Sequence, residues 1–332
     1  MPIEPGPASV FLEFAGWGAA IRKPLAGDAS SRRYERLNRA GETAILMIVP
    51  PENRDQIHAF LRVGRHLSSI GLTTPRIIAR APSDGLLLIE DLGDDLFACM
   101  ADAETGLETT MYRAAVEVLA HLHAQPTPKW AVPYDQSALA ELVAPAFDWY
   151  AGTAASKAVK AELVTLFNET PGLTDVLILR DYHAENLIWR PAEQGLARTG
   201  ILDFQDAMAG HRAYDLVSLI EDARRDLSPG LGSELMDQYL DLTGVAEVAF
   251  RRAYALLGAQ RNLRILGVFA RLAVRDGRPG YVSMIPRVWA HLQNDLSHPA
   301  LARLRGLLDS QLPPPDTAQL ESLKDTCAPT QS

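Results

Sequence analysis

Three polar residues in the middle of the chain have the spacing of a phosphoryl-transfer site. Asp181 and Asn186 lie in the run LRDYHAEN, and Asp203 follows in ILDF. Phosphoryl transfer needs an aligned acceptor hydroxyl and metal ions that neutralise the developing charge. The D-x-x-x-x-N spacing with a later strand-end D-F dipeptide is typical of a kinase catalytic loop. It predicts Asp181 as the catalytic base and Asn186 and Asp203 as ligands of Mg²⁺, which prefers hard oxygen atoms.

Taken singly, each aspartate is better explained as a turn or helix-cap residue beside a buried strand. The order, spacing and strand context of the three residues together favour the catalytic interpretation. Further along, Asp215 lies in an amphipathic segment, AYDLVSLI. We expect Asp215 to support the catalytic loop through backbone amides.

The elements that position these residues differ between the two parts of the chain. Up to about residue 92, the runs TAILMIVPP and GLLLIEDLG predict strands, with a periodic stretch between them. From Thr105 onward, apolar residues recur at helical spacing. Within that part, DVLILRD and RTGILDF predict two short strands that end in the aspartates.

The predicted fold is therefore α+β, a bilobal protein-kinase-like fold. Residues 1–92 form a small strand-rich N-lobe that binds nucleotide, and residues 93–310 form a larger, mainly helical C-lobe with the catalytic loop and the substrate pocket. Residues 311–332 form a polar, proline-rich tail, which we expect to have little to pack and to which we assign no function.

Composition and charge exclude several classes of protein. The 332 residues are 47% hydrophobic and 22% charged, which is typical of a globular protein with a sizeable core, and the net charge of −9 argues against nucleic acid as the main partner. Cys99 and Cys327 are too few and too far apart for a disulfide framework or a zinc site. We expect a cytoplasmic protein with a small-molecule substrate, without a membrane segment or an obligate protein partner.

The run GDASSRRY predicts a turn over the phosphates of ATP, with Ser30, Ser31, Arg32 and Arg33 as nucleotide-binding residues. It lacks the full G-x-G-x-x-G pattern, and by itself it is better explained as a polar hairpin tip. The following strand has no lysine, and Met47 occupies the position where kinases carry one. Either an arginine of the turn replaces this lysine, or the protein is a degraded kinase that binds nucleotide poorly. The intact catalytic loop favours the arginine.

Two further sets of residues complete the predicted site. Glu90 and Leu92, between the predicted lobes, are expected to present backbone groups to adenine, although a plain strand exit explains them equally well. His183, Glu185 and Asp206 are predicted to bind substrate because they lie next to the catalytic motifs, although most such residues are ordinary surface positions.

The segment from RDYHAEN through LDFQDAMAGHRAYDLVSLIEDARRD resembles the aminoglycoside phosphotransferase family. Together with GDASSRRYERL, AILMIVPPE and LLLIEDLG, it is similar to the branch of anomeric sugar kinases acting on N-acetylmuramate and N-acetylglucosamine. The resemblance implies a kinase-like fold and Mg²⁺-dependent transfer of the ATP γ-phosphate to C1 of an amino sugar in peptidoglycan recycling. Leu179 and Arg180 replace the His-Gly of many aminoglycoside-modifying relatives, which weakens an antibiotic-resistance interpretation.

Two alternatives remain. One is another small-molecule kinase of the same family, acting on an aminoglycoside, choline, homoserine or a thio-sugar. The other is a non-catalytic nucleotide-binding protein, which the missing lysine favours. The short segment between Asp203 and Asp215 argues against a protein kinase, and the absence of G-x-S-x-G and H-E-x-x-H argues against a hydrolase or a zinc enzyme.

Overall fold

The structure is a computed structural model, and it describes residues 6–25, 32–103, 106–154 and 157–326. The chain divides into two compact units. Unit 1 comprises Met1–Val118 and Ala184–Ala207, and unit 2 comprises Leu119–His183 and Met208–Ser332. Within the described ranges, no helix has the length and apolar character that crossing a membrane requires.

Both units contain strands as well as helices. The strands are β1 (Ile21–Leu25), β2 (Arg33–Arg39), β3 (Glu42–Ile48), β4 (Ile77–Ala81), β5 (Leu86–Glu90), β6 (Val176–Ile178), β7 (Leu187–Trp189), β8 (Thr199–Ile201) and β9 (Met208–Gly210). The helices are α1 (Pro7–Phe14), α2 (Asp55–Ser69), α3 (Phe97–Ala103), α4 (Leu107–His123), α5 (Gln136–Glu141), α6 (Lys157–Asn168), α7 (Ala213–Ile220), α8 (Leu231–Thr243), α9 (Glu247–Val274), α10 (Ile285–Leu296), α11 (Ala302–Asp309) and α12 (Thr317–Asp325).

Unit 1 is built on an antiparallel sheet with the strand order β1-β2-β3-β5-β4. Because side chains alternate along a strand, the sheet has two different faces. Leu37, Leu46 and Leu88 on one face pack with Phe11 and Leu12 of α1 in an apolar cluster. Their sequence neighbours Arg36, Ile45 and Ile89 point to the other face and line the pocket described below.

Helix α2 packs on the segment that carries the D-F dipeptide, within unit 1. Its buried residues are spaced three or four apart, which makes one apolar face. Phe60 on that face lies 4.7 Å from Phe204, measured between ring centroids. Gly64 allows this approach, because a Cβ atom there would lie 3.2 Å from the Phe204 ring. The residue after Asp203 is thus fixed in the core.

Unit 2 is mainly helical, and α9 is its longest helix, with 28 residues. Helices α7, α10 and α12 and a π-helical turn, Ala146–Ala151, pack against α9. At Gly267 a Cβ atom would lie 2.2 Å from the backbone nitrogen of Ala146, so only glycine permits this approach. The short pair β6–β9 is antiparallel, and its strand β6 precedes the catalytic loop.

The predicted elements agree well with the structure. The runs TAILMIVPP and GLLLIEDLG are β3 and β5, and DVLILRD and RTGILDF contain β6 and β8. The helical pattern after Thr105 is also confirmed. The predicted lobe boundary at residue 92 stays a prediction, because the two compact units have other limits.

One expectation about the tail needs correction. Part of it is packed: α12 begins after Asp316, whose side chain accepts a hydrogen bond from the Gln319 amide. Leu323 is buried, and the Gln319 side chain donates to the Tyr150 carbonyl at 2.6 Å. Two leucines, Leu320 and Leu323, in an otherwise polar segment give a weak helical pattern, so the sequence alone did not reveal this packing.

Candidate active site

The predicted catalytic loop begins after β6, in unit 2, and the residues that lead into it contact α7. The backbone amides of Leu179 and Arg180 donate to the Asp215 carboxylate at 2.6 and 2.8 Å. Asp215 is fully buried. Both amides belong to the two residues before Asp181, so one carboxylate fixes the backbone that leads into the predicted base.

Burial, together with the nearby charge of Asp181, raises the pKa of Asp215 to about 7. The two backbone hydrogen bonds and the positive charge of Arg261 act in the opposite direction, because they favour the ionised carboxylate. The support of the loop is therefore sensitive to pH near neutrality.

A pocket of about 400 Å³ lies within unit 1. Three of the six predicted nucleotide-binding residues line it, together with both predicted metal ligands and Glu185. Much of the remaining wall is apolar, as at Leu25, Ile45 and Ile89. A largely apolar cleft with a few polar groups is the usual form of a small-molecule site. Its lining includes Arg32, Glu90, Leu92, Glu185, Asn186 and Asp203.

Arg32 and Asp203 form an ion pair in this pocket, with 2.6 Å between Nη2 and Oδ1. Only 9% of Arg32 is exposed. The side chain of Gln205 also donates to Asp203 Oδ1, at 3.0 Å. Asp203 itself adopts a left-handed backbone conformation, with φ of 54°, which is uncommon outside glycine. Its carboxylate is held in place by the surrounding structure.

The structure separates the two arginines of the predicted phosphate turn. Strand alternation puts Arg32 on the same face as Tyr34, and both line the pocket. Arg33 begins β2, is exposed and is not among the lining residues. The nucleotide-binding role of Arg33 therefore stays a prediction, without a place in this pocket. Ser30 and Ser31 lie outside the described residues.

Strand β3 carries no basic residue, as the sequence indicated. Met47 is 1% exposed and lies on the same face of β3 as the pocket residue Ile45. The position where kinases carry lysine therefore belongs to a buried thioether. Arg32 brings a permanent positive charge to the same pocket from the neighbouring part of the chain.

Comparison with known proteins places the chain in a family. Residues 21–254 match the phosphotransferase enzyme family, APH. The chain belongs to this family. This chain is 37% identical to an N-acetylmuramate/N-acetylglucosamine kinase of Caulobacter vibrioides, over 92% of this chain and 96% of the relative. A Pseudomonas putida protein of the same name is 30% identical over 88% of this chain and 89% of its own.

Solved structures of the family show the same fold. An ADP-bound aminoglycoside phosphotransferase, APH(2'')-Ib, matches 87% of this chain and 99% of its own, with a TM-score of 0.58 at 14% identity. A GDP and kanamycin complex of APH(2'')-IIIa matches 88% of this chain and 99% of its own, with a TM-score of 0.58 at 16% identity. The predicted kinase-like fold and the family resemblance are confirmed.

The three predicted substrate residues of the APH protein are not gathered within one unit. His183 is buried in unit 2, and burial lowers its pKa. Glu185 lines the pocket of unit 1. Asp206 accepts a hydrogen bond from the Gln205 side chain at 3.1 Å, also in unit 1. The substrate-binding role of each residue stays a prediction.

Arg36 is a pocket residue that the sequence analysis missed. Its guanidinium contacts Asp91 at 2.7 and 3.1 Å and Asp94 at 2.6 Å. All three residues line the pocket. Alternation along RRYERL could have indicated it, since Arg36 lies two and four positions after Tyr34 and Arg32 on the same face.

Two of the side chains that line this pocket fit a magnesium ion. Asn186 offers a neutral amide oxygen and Asp203 a charged carboxylate, and both line the same cleft. Magnesium in phosphoryl-transfer sites uses one or two carboxylates together with phosphate oxygens. The donor set therefore suits a magnesium–nucleotide complex.

Proposed function

We propose that this APH protein is an ATP-dependent kinase that phosphorylates the anomeric C1 hydroxyl of N-acetylmuramate and N-acetylglucosamine. The observation that carries the proposal is the 37% identity, over nearly the whole length, to the Caulobacter vibrioides kinase of that name. The product is a sugar 1-phosphate, which suits recycling of peptidoglycan sugars. A cytoplasmic location, where ATP is available, is part of the proposal.

In this proposal Asp181 is the general base, accepting the proton of the C1 hydroxyl as it attacks the γ-phosphorus. Asp215 holds the loop backbone so that the Asp181 carboxylate is ready before substrate arrives. A base fixed in advance needs little reorganisation during the reaction. His183 and Asp206 are the proposed contacts to the sugar.

The pocket of unit 1 is the proposed nucleotide site. Its apolar wall receives adenine, and the backbone groups of Glu90 and Leu92 hydrogen-bond the base. Asn186 and Asp203 hold Mg²⁺, which neutralises the charge of the phosphates. Arg32 binds the nucleotide phosphates in place of the missing β3 lysine, because arginine has the geometry and permanent charge to bind phosphate oxygens.

The test is ADP release by the purified chain with Mg²⁺ and ATP, with the acceptor varied. N-acetylmuramate and N-acetylglucosamine should be turned over, and the methyl 1-glycoside of N-acetylglucosamine should not, because its C1 hydroxyl is blocked. Phosphorus NMR of the product should show coupling to the anomeric proton. Asp181→Asn should abolish turnover and retain ATP binding.

Other outcomes would contradict the proposal in different ways. Turnover of the methyl glycoside would move the phosphate to another hydroxyl. Turnover of kanamycin or choline alone would replace the substrate within the family. A failure to release ADP with any of these acceptors would favour the non-catalytic alternative.

A further inference from the structure

The backbone immediately before Asp181 is strained. Arg180 has φ of 73°, in the left-handed region that residues other than glycine rarely adopt. Such a conformation persists only where the surrounding structure holds it, and it is often found at functional sites. The contacts on both sides of Arg180 therefore set the direction in which the chain enters Asp181.

Helix α7 contacts Arg180 through two side chains. Asp215 accepts from the Arg180 amide at 2.8 Å, and the Ser218 hydroxyl donates to the Arg180 carbonyl at 3.4 Å. Asp215 and Ser218 are three positions apart, so they lie on the same face of the helix. Both are fully buried. The strained residue is thus held by its N–H group and by its C=O group.

A residue of α9 fixes the direction of the second contact. Arg261 Nη2 lies 2.8 Å from Ser218 Oγ. A guanidinium group can only donate, so the Ser218 oxygen must accept this hydrogen bond. The single hydroxyl hydrogen of Ser218 is then left to point at the Arg180 carbonyl. Arg261 is 6% exposed, and in such surroundings linked hydrogen bonds strengthen one another.

We propose that Arg261 and Ser218 are positioning residues that act on Asp181 through the carbonyl of Arg180. Ser218 transmits the contact, and Arg261 orients Ser218. This inference rests on the proposed function, because it assigns the pair to the reaction in which Asp181 is the base.

The kinetic test uses Ser218→Ala, which removes one oxygen atom from the core. We expect kcat to fall on the order of tenfold, the effect of one lost hydrogen bond. The KM values for ATP and the sugar should stay within about twofold, because neither substrate touches Ser218 in this proposal. Ser218→Cys, with a weak donor of similar size, should recover part of the loss.

A double-mutant cycle tests the link between the two residues. If Arg261 acts through Ser218, the double variant Ser218→Ala with Arg261→Met should lose no more kcat than Arg261→Met alone. Additive losses in kcat would show that the two residues act separately and would overturn the relay.

Amide hydrogen exchange gives a readout that needs no activity. Ser218→Ala should speed exchange in the peptide that covers residues 179–182. Gln260→Met is the matched control, since Gln260 is a buried residue of the same helix as Arg261 that donates to the Leu139 carbonyl at 2.9 Å. It should lower stability without changing exchange at residues 179–182 or kcat.

The outcomes separate the two proposals. If the wild-type chain phosphorylates no amino sugar, the proposed function fails, and exchange at residues 179–182 still decides the positioning role. A folded Ser218→Ala variant with wild-type exchange would refute the positioning role. Equal effects of Ser218→Ala and Gln260→Met would reduce it to general core stability.

Discussion

Asp215 Oδ1 accepts a hydrogen bond from the backbone amide of Arg180 at 2.8 Å, one residue before the proposed base. Asp215 is wholly buried, so its ionisation is coupled to its neighbours. The charge of Asp181 raises the pKa of Asp215 and that of Arg261 lowers it. The charge of Asp215 in turn raises the pKa of the Tyr182 and Tyr239 hydroxyls. This single contact connects the pH of the solution to the geometry of the catalytic loop.

The first prediction concerns the pH dependence of turnover. Burial raises the pKa of Asp215 to about 7, so the carboxyl gains a proton as the pH falls through neutrality. A neutral carboxyl binds the two amides more weakly than a carboxylate does. We expect kcat to fall below about pH 7. Asp215→Asn should have a low kcat with a flatter pH profile, measured between about pH 5.5 and 8.5. An unchanged profile in that variant would exclude Asp215 as the titrating group.

The same pKa gives a prediction for stability. A carboxyl whose folded pKa lies above its unfolded value binds more protons in the folded state between those two values. Asp215 therefore lowers the free energy of unfolding as the pH rises from about 4 to 7. The free energy of unfolding of the wild type, measured by urea denaturation relative to Asp215→Asn, should decrease between about pH 5 and pH 7.5. A difference that grows with pH would contradict the assigned shift.

Adjacent arginines provide a matched test of the phosphate contact. Arg32→Ala should raise the KM for ATP about 10- to 100-fold, which corresponds to one lost charge-assisted contact. Arg33→Ala should leave it within about twofold, because Arg33 lies on the opposite face of β2. A larger effect at Arg33 than at Arg32 would support the sequence-based prediction for Arg33 and overturn the role proposed for Arg32.

Asp203 is predicted to be essential because it is the charged member of the proposed metal pair. Asp203→Asn keeps the shape of the side chain and removes the charge, so kcat should fall at least about a thousandfold. Binding of Mn²⁺ with nucleotide, followed by electron paramagnetic resonance, should weaken in parallel. Wild-type metal binding in this variant would place the metal elsewhere.

The two carboxylates paired with Arg36 differ greatly in burial. This difference predicts unequal stability costs for Arg36→Ala and Asp94→Ala. The Asp91 side chain is 6% exposed and that of Asp94 is 78% exposed. Arg36→Ala leaves the Asp91 carboxylate buried without its arginine and should cost about 1–3 kcal/mol of unfolding free energy. Asp94→Ala, the control, should cost less than about 1 kcal/mol. Chemical denaturation measures both, and equal effects would refute the argument from burial.

The packed end of the chain predicts the effect of truncation. Removing residues 316–332 deletes α12 with its buried Leu323 and should cost at least about 2 kcal/mol, seen as a lower Tm. A Tm equal to that of the full chain would show that α12 contributes no stability.

Much of this protein is determined by its sequence. The D-x-x-x-x-N spacing and the later D-F dipeptide predicted the catalytic motif, and the segments around them indicated the family. The apolar runs predicted four of the nine described strands, β3, β5, β6 and β8, and the helical character after Thr105, because these are local patterns with fixed periods. The absence of lysine from β3 was also visible directly.

Tertiary structure decided what depends on faces and on distant partners. Arg32 was distinguished from Arg33 only by the direction of each side chain from the sheet, which reverses at every residue. Arg36 gained its role from Asp91, 55 positions away in the chain. Ser218 donates to the Arg180 carbonyl and accepts from Arg261, and the two helices that carry them lie far apart in sequence, so no local spacing could reveal these contacts. The chemistry is encoded by neighbours in sequence, and its support comes from residues that only folding brings together.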